Sequence, residues 1–176
     1  IILFLLLLKR KPRAFFLAPG SLSAPAGAVK WLGIKQGDPW NPLGWILTGC
    51  ISLGTLAFLV IAGRPSLEIL PRVIPYIPVI LLCAALNAFN EELTYKASCL
   101  SVLEKEVGKT QSLLLMAAYF GILHFYGVPY GVVGVLLAAF LGWILGKSML
   151  ETRGMFWAWF IHFWQDVWIL SFMVIG

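Results

Sequence analysis

Four stretches free of Lys, Arg and Glu constrain this chain more than any other feature. Residues 39–63, 73–90, 110–146 and 154–176 are predominantly apolar, the last interrupted only by Asp166. A helix needs about 20 such residues to cross a bilayer. The third stretch is long enough for two passes, and Tyr126-Gly127-Val128-Pro129-Tyr130-Gly131 divides it with a turn signal. Five complete spans are therefore expected. With 60% hydrophobic and 12% charged residues, against about 45–50% and about 25% in soluble domains, a water-soluble globule is excluded. The expected fold class is all-α, a polytopic membrane helix bundle.

Residues 1–8 are apolar and are followed at once by Lys9-Arg10-Lys11. They read as the tail of a transmembrane helix whose start lies outside the sequence. Residues 9–41, rich in Pro, Gly and Ser, read as a cytoplasmic loop with an interfacial turn near Val29-Lys30-Trp31-Leu32. Residues 42–72 read as an accessory transmembrane helix with its outer loop. Residues 73–176 read as a four-helix core.

The net charge of +5 does not mark a nucleic-acid surface, because the basic residues sort by loop. Lys9, Arg10, Lys11, Arg13, Lys30 and Lys35 lie in the first loop, Lys96, Lys105 and Lys109 around the third connection, and Lys147 and Arg153 in the fifth. Arg64 and Arg72 fall on the other side. The positive-inside rule makes the three basic loops cytoplasmic, so the expected setting is the plasma (inner) membrane, with any site reachable from the cytoplasm. The expected partners are membrane lipids, not nucleic acid. Three cysteines, all in or beside apolar helix patterns, give no disulfide framework.

Ionisable groups inside the spans are the functional signal. Glu91, Glu92 and Asp166 lie in or against apolar segments, as do the protein's only histidines, His124 and His162. A charge at mid-membrane costs on the order of 2.5–3.5 kcal/mol, so it faces a partner or a wet cavity. Counting about 1.5 Å per residue from the helix ends puts Glu91, His124, His162 and Asp166 at similar depths. Glu92 and Lys96 are spaced i,i+4 in the order that favours an ion pair, leaving Glu91 on a different face. Phe120 with His124, and His162 with Asp166, repeat that spacing, so Asp166 can orient the His162 imidazole or share its face.

Glu91-Glu92-Leu93-Thr94-Tyr95-Lys96, then Phe120-Gly121-Ile122-Leu123-His124, then His162-Phe163-Trp164-Gln165-Asp166 resemble the three motifs of the CAAX protease and bacteriocin-processing (CPBP, or Abi) family. That pattern is Glu-Glu and Arg with three residues between them, Phe with His four on, and His with Asn or Asp four on. The one departure is Lys96 in place of Arg, which keeps the charge but loses the planar fork. The resemblance implies an intramembrane endopeptidase with Glu91, His124, His162 and Asp166 as catalytic residues, supported by Glu92, Lys96 and Phe120. Its substrate would be a protein or peptide, with or without a prenyl group.

Peptide hydrolysis needs an activated water, donors for the oxyanion and a proton for the leaving amine. Glu91 with His124 could position and deprotonate the water, and His162 with Asp166 could serve the oxyanion. Two histidines and a glutamate are also a zinc ligand set, so zinc on Glu91, His124 and His162 stays open, and with it a metalloprotease. No His-Glu-x-x-His signature occurs. Two other readings stand beside hydrolysis: a proton-coupled small transporter, which also needs buried acids and histidines, and a catalytically idle immunity or scaffold protein. Phe156-Trp157-Ala158-Trp159-Phe160 and Gly131, Gly134, Gly142 and Gly146 read as an interfacial belt and as close-packing positions.

Overall fold

The computed structural model describes residues 11–175. The expected helix tail over residues 1–8 lies outside them. Helix α1, Trp40–Gly63, starts behind Pro39, with Pro42 in its first turn, where the missing N–H costs nothing. It stops at Arg64, whose left-handed backbone (φ 44°) lets its N–H cap the Val60 carbonyl. A 3₁₀ helix follows, Leu67–Tyr76, capped by the Ser66 hydroxyl accepting from the Glu68 N–H. Pro71 and Pro75 inside it cannot donate to an α-helical ladder.

Helix α2, Ile77–Glu91, runs without a break into a π-helical turn, Glu92–Ala97, and on into α3, Ser98–Leu123. Gly108 interrupts α3 with φ 81° and ψ 169°, a backbone essentially reserved for glycine. The helix folds back there, so Lys96 lies under Phe120 and both Leu100 and Met116 reach Gly146. Helix α4, Val132–Thr152, and helix α5, Phe156–Ile175, complete the bundle. Among the described residues there is no strand, only isolated bridges Pro25–Pro39 and Val29–Ile34.

Among the described residues, three helical stretches are long and apolar enough to cross a membrane: Trp40–Gly63, Pro71–Leu123 and Val132–Thr152. The second, at 53 residues, is the one folded at Gly108. Helix α5 is of similar length but carries His162, Gln165 and Asp166. The all-α membrane bundle expected from the sequence is therefore the fold, with the division expected at residues 126–131 present within the turn of residues 124–131 between α3 and α4.

Small residues set the helix spacing, as they must where lipid removes the hydrophobic drive to associate. A Cβ on Gly121 would stand 2.6 Å from the Val135 carbonyl oxygen and 2.7 Å from the Ala139 Cβ, and one on Gly142 2.9 Å from the Phe120 ring. Residues 11–39 fold against the end of the bundle that holds the Gly108 turn. The Met155 N–H donates to the Ala18 carbonyl, the Ser21 N–H to the Thr152 carbonyl, and the Trp157 indole to the Leu22 carbonyl. Arg153 makes a two-pronged ion pair with Glu104 at the same end, 2.6 and 2.7 Å, which raises the Arg153 pKa by hydrogen bonding. The three loops that the sequence marks as basic thus meet at one end, while Arg64 caps α1 at the other.

Candidate active site

The site is assembled where the π-helical turn meets α5 and the end of α3. A π turn carries one residue more than an α turn and is frequent at functional sites. Here it spans Glu92–Ala97, directly after Glu91. Glu92 and Lys96 are both completely buried and form an ion pair of 2.6 Å. The Lys96 ammonium also sits 3.3 Å from the centre of the Phe120 ring, a cation–π contact. The pairing expected from i,i+4 spacing is present, and Lys in place of Arg does not abolish it.

Glu92 also reaches a residue that spacing could not connect to it. Its Oε1 lies 2.6 Å from His162 Nδ1. A carboxylate accepts, so Nδ1 carries the proton and Nε2 of the neutral ring presents a lone pair. His124 is fixed the same way, with Nδ1 2.8 Å from the Phe120 carbonyl oxygen. Both Nε2 atoms then face Glu91 Oε2, at 3.9 Å from His124 and 3.7 Å from His162. Among the described residues Glu91 Oε2, itself buried, has no hydrogen-bond partner. Three acceptors therefore surround one small space with no donor between them, and whatever fills it must bring protons or positive charge.

Asp166 shares the His162 face and does not orient the ring, because its Oδ1 is 3.6 Å from Nε2, the atom turned toward Glu91. Orientation comes from Glu92. Asn87 links the two remaining acids, its amide donating to Glu91 Oε1 at 3.2 Å and to Asp166 Oδ2 at 3.1 Å. Asn87 stands one helical turn before Glu91, but nothing in the spacing announces its bond to Asp166, and sequence reasoning missed Gln165. That side chain accepts from the Thr55 hydroxyl at 2.6 Å and donates to the Ser52 hydroxyl at 3.2 Å, tying α5 to α1. A polar amide inside the apolar stretch 154–176 was the available signal, and the structure buries Gln165 as deeply as His162.

The polar groups occupy one wall of a cavity of about 560 Å³ between α1 and α4. Its remaining lining is apolar, with Leu47, Ile51 and Phe58 of α1 facing Leu137, Leu141 and Ile144 of α4. The donor chemistry of Glu91, His124 and His162 would suit zinc. The spacing does not, because among the described residues no group of three or more His, Cys, Asp or Glu has a geometry that could hold a metal ion. Gaps of 3.7 and 3.9 Å suit groups that share a water.

The family model for type II CAAX prenyl endopeptidases, Rce1-like, matches residues 73–168, more than half of the chain. The chain belongs to this Rce1-like family. It is an integral membrane protein of the family's protease class, in keeping with the resemblance carried by the three motifs. The Rce1-like match contains Glu91, His124, His162 and Asp166 and leaves α1 and residues 11–39 outside. Comparison with curated proteins and with solved structures gives no match.

Proposed function

We propose that the protein is an intramembrane endopeptidase that hydrolyses peptide bonds with a water activated by Glu91, acting on prenylated protein or peptide substrates. The observation that carries this reading is the convergence of the buried Glu91 Oε2 with the Nε2 atoms of His124 and His162 on the wall of a largely apolar cavity.

A water in that space donates one proton to Glu91 and is aligned by the His124 lone pair. As Glu91 takes the proton, the oxygen attacks the scissile carbonyl, and His162, whose Nε2 lone pair in the resting ring first takes up a proton from solvent, donates from Nε2 to the developing oxyanion. Glu91 then returns the proton to the leaving amine, so the carboxylate is regenerated and one water is consumed. Glu92, held by Lys96, keeps the His162 ring aimed throughout. Asp166 acts beside His162, where an ionised carboxylate supports the imidazolium and does not itself touch the oxyanion.

The apolar part of the cavity suits a prenyl chain, whose burial is worth roughly 25 cal/mol per Å² of apolar surface removed from water. With the basic loops on the cytoplasmic side, the substrate reaches the site from the cytoplasm. The protein purified in detergent should cleave a peptide ending in an S-farnesyl cysteine followed by three residues, and cleave the unlipidated peptide with a higher KM. Failure to cleave either peptide, with a folded protein, would overturn the protease reading and favour a carrier or scaffold.

A further inference from the structure

A second cavity, of about 540 Å³, lies at the far end of α1 and shares Phe58, Leu59, Val128 and Ile169 with the first. The two adjoin across these four side chains. The second cavity is lined by Arg64, the one Lys or Arg among the residues lining either cavity. Arg64 is exposed, and its backbone is fixed by the helix cap of α1. It lies outside residues 73–168, so the family match assigns it nothing.

We propose that Arg64 binds the C-terminal carboxylate of the peptide substrate, with the shared walls holding the aliphatic residues between that carboxylate and the scissile bond. This rests on the proposed function and adds to it a site for the substrate's end. The lengths agree. Thr55, which lines the first cavity together with Glu91, His124 and His162, is nine residues before Arg64 at the end of the same helix, or about 13 Å at 1.5 Å per residue. Three extended residues cover about 10–11 Å, and the arginine side chain closes the remainder. The charges agree too. A carboxylate drawn into an apolar cavity without a partner is strongly disfavoured, and a guanidinium is the group that meets a carboxylate with two parallel hydrogen bonds.

The test measures binding separately from turnover. A peptide ending in S-farnesyl cysteine, two valines and a serine is prepared as the free acid and as the C-terminal amide. Each displaces a fluorescent copy of the acid from the Glu91→Gln protein, with and without Arg64→Gln, in phosphatidylcholine nanodiscs. The acid should bind about tenfold or more tightly than the amide when Arg64 is present, and Arg64→Gln should abolish the difference while Arg64→Lys restores part of it. The losses should not add, so that the amide binds within about twofold with or without Arg64. Equal binding of acid and amide in the presence of Arg64 would overturn the proposal. So would equal weakening of both by Arg64→Gln, and if that weakening followed the proportion of phosphatidylglycerol in the disc, Arg64 would be a headgroup site. Discrimination by the Glu91→Gln protein, when the parent protein cleaves neither peptide, would leave the carboxylate site standing and remove the protease reading alone.

Discussion

His162 Nδ1 lies 2.6 Å from Glu92 Oε1, across 70 residues of chain, and this contact decides which nitrogen of the ring faces Glu91. Because Glu92 is also the partner of Lys96, the orientation of the histidine that we propose serves the oxyanion depends on an ion pair buried one helix away.

If Glu91 is the base, Glu91→Gln should retain the bond from Asn87, since an amide oxygen still accepts, while losing basicity. Substrate affinity should survive and turnover should fall by about 10²–10⁴-fold, the usual worth of general-base catalysis. Comparing peptide cleavage with peptide binding on the same purified variant checks it, and undiminished turnover would remove Glu91 from the chemistry.

Asp166→Asn should behave differently. The new side chain can still accept from Asn87 and can offer its own amide to the oxyanion, so cleavage should stay within about tenfold of the parent, one hydrogen bond's worth of energy. An inactive variant would mean that the negative charge beside His162 is required.

Lys96 carries a stability prediction. Lys96→Met would strand Glu92 in a fully buried position, and breaking a buried pair in this way costs about 3–5 kcal/mol. Lys96→Arg should cost less, because the charge that Glu92 needs is kept. Thermal unfolding in detergent, followed by the tryptophan signal, should rank the two in that order.

Metal dependence can be read directly. The open spacing of Glu91, His124 and His162 predicts that activity survives exhaustive dialysis against a chelator. Loss of cleavage on dialysis, restored by zinc alone, would make those three side chains a ligand set that closes on the ion.

Gly108→Ala tests the fold-back of α3. There is room for the methyl group, whose nearest neighbour is a flexible Gln111 oxygen at 3.6 Å, so the cost is conformational and about 1–3 kcal/mol. A fall in thermal stability with unchanged KM is the expected result.

Much of this was legible in the sequence because the bilayer punishes charge. Apolar runs gave the spans, and the few ionisable groups inside them were candidates at once. Pairs spaced i,i+4 on one helix, such as Glu92 with Lys96 and Phe120 with His124, could also be read, since helical geometry alone brings them together. The rest depends on contacts between distant segments. Nothing local joins Glu92 to His162 or Asn87 to Asp166, and a lone Gly108 between Val107 and Lys109 does not announce a reversal. The π-helical turn was equally hidden, because its sequence reads as ordinary helix.

Glu151 shows how little the limits of the family match say about where this molecule could be divided. Its carboxylate accepts from the Trp40 indole at 2.8 Å and from the Gly27 backbone at 3.1 Å while pairing with Lys147. Trp157 spends its own indole N–H on Leu22. Helices α4 and α5 therefore draw part of their polar satisfaction from a segment that shares none of the motifs. A fragment cut at residue 73 would expose an acid and an indole that now have partners, so the recognisable half is not modular. Its upstream neighbour serves it much as a fitted endplate does, and any transplant of the motifs into another bundle would have to carry that endplate along.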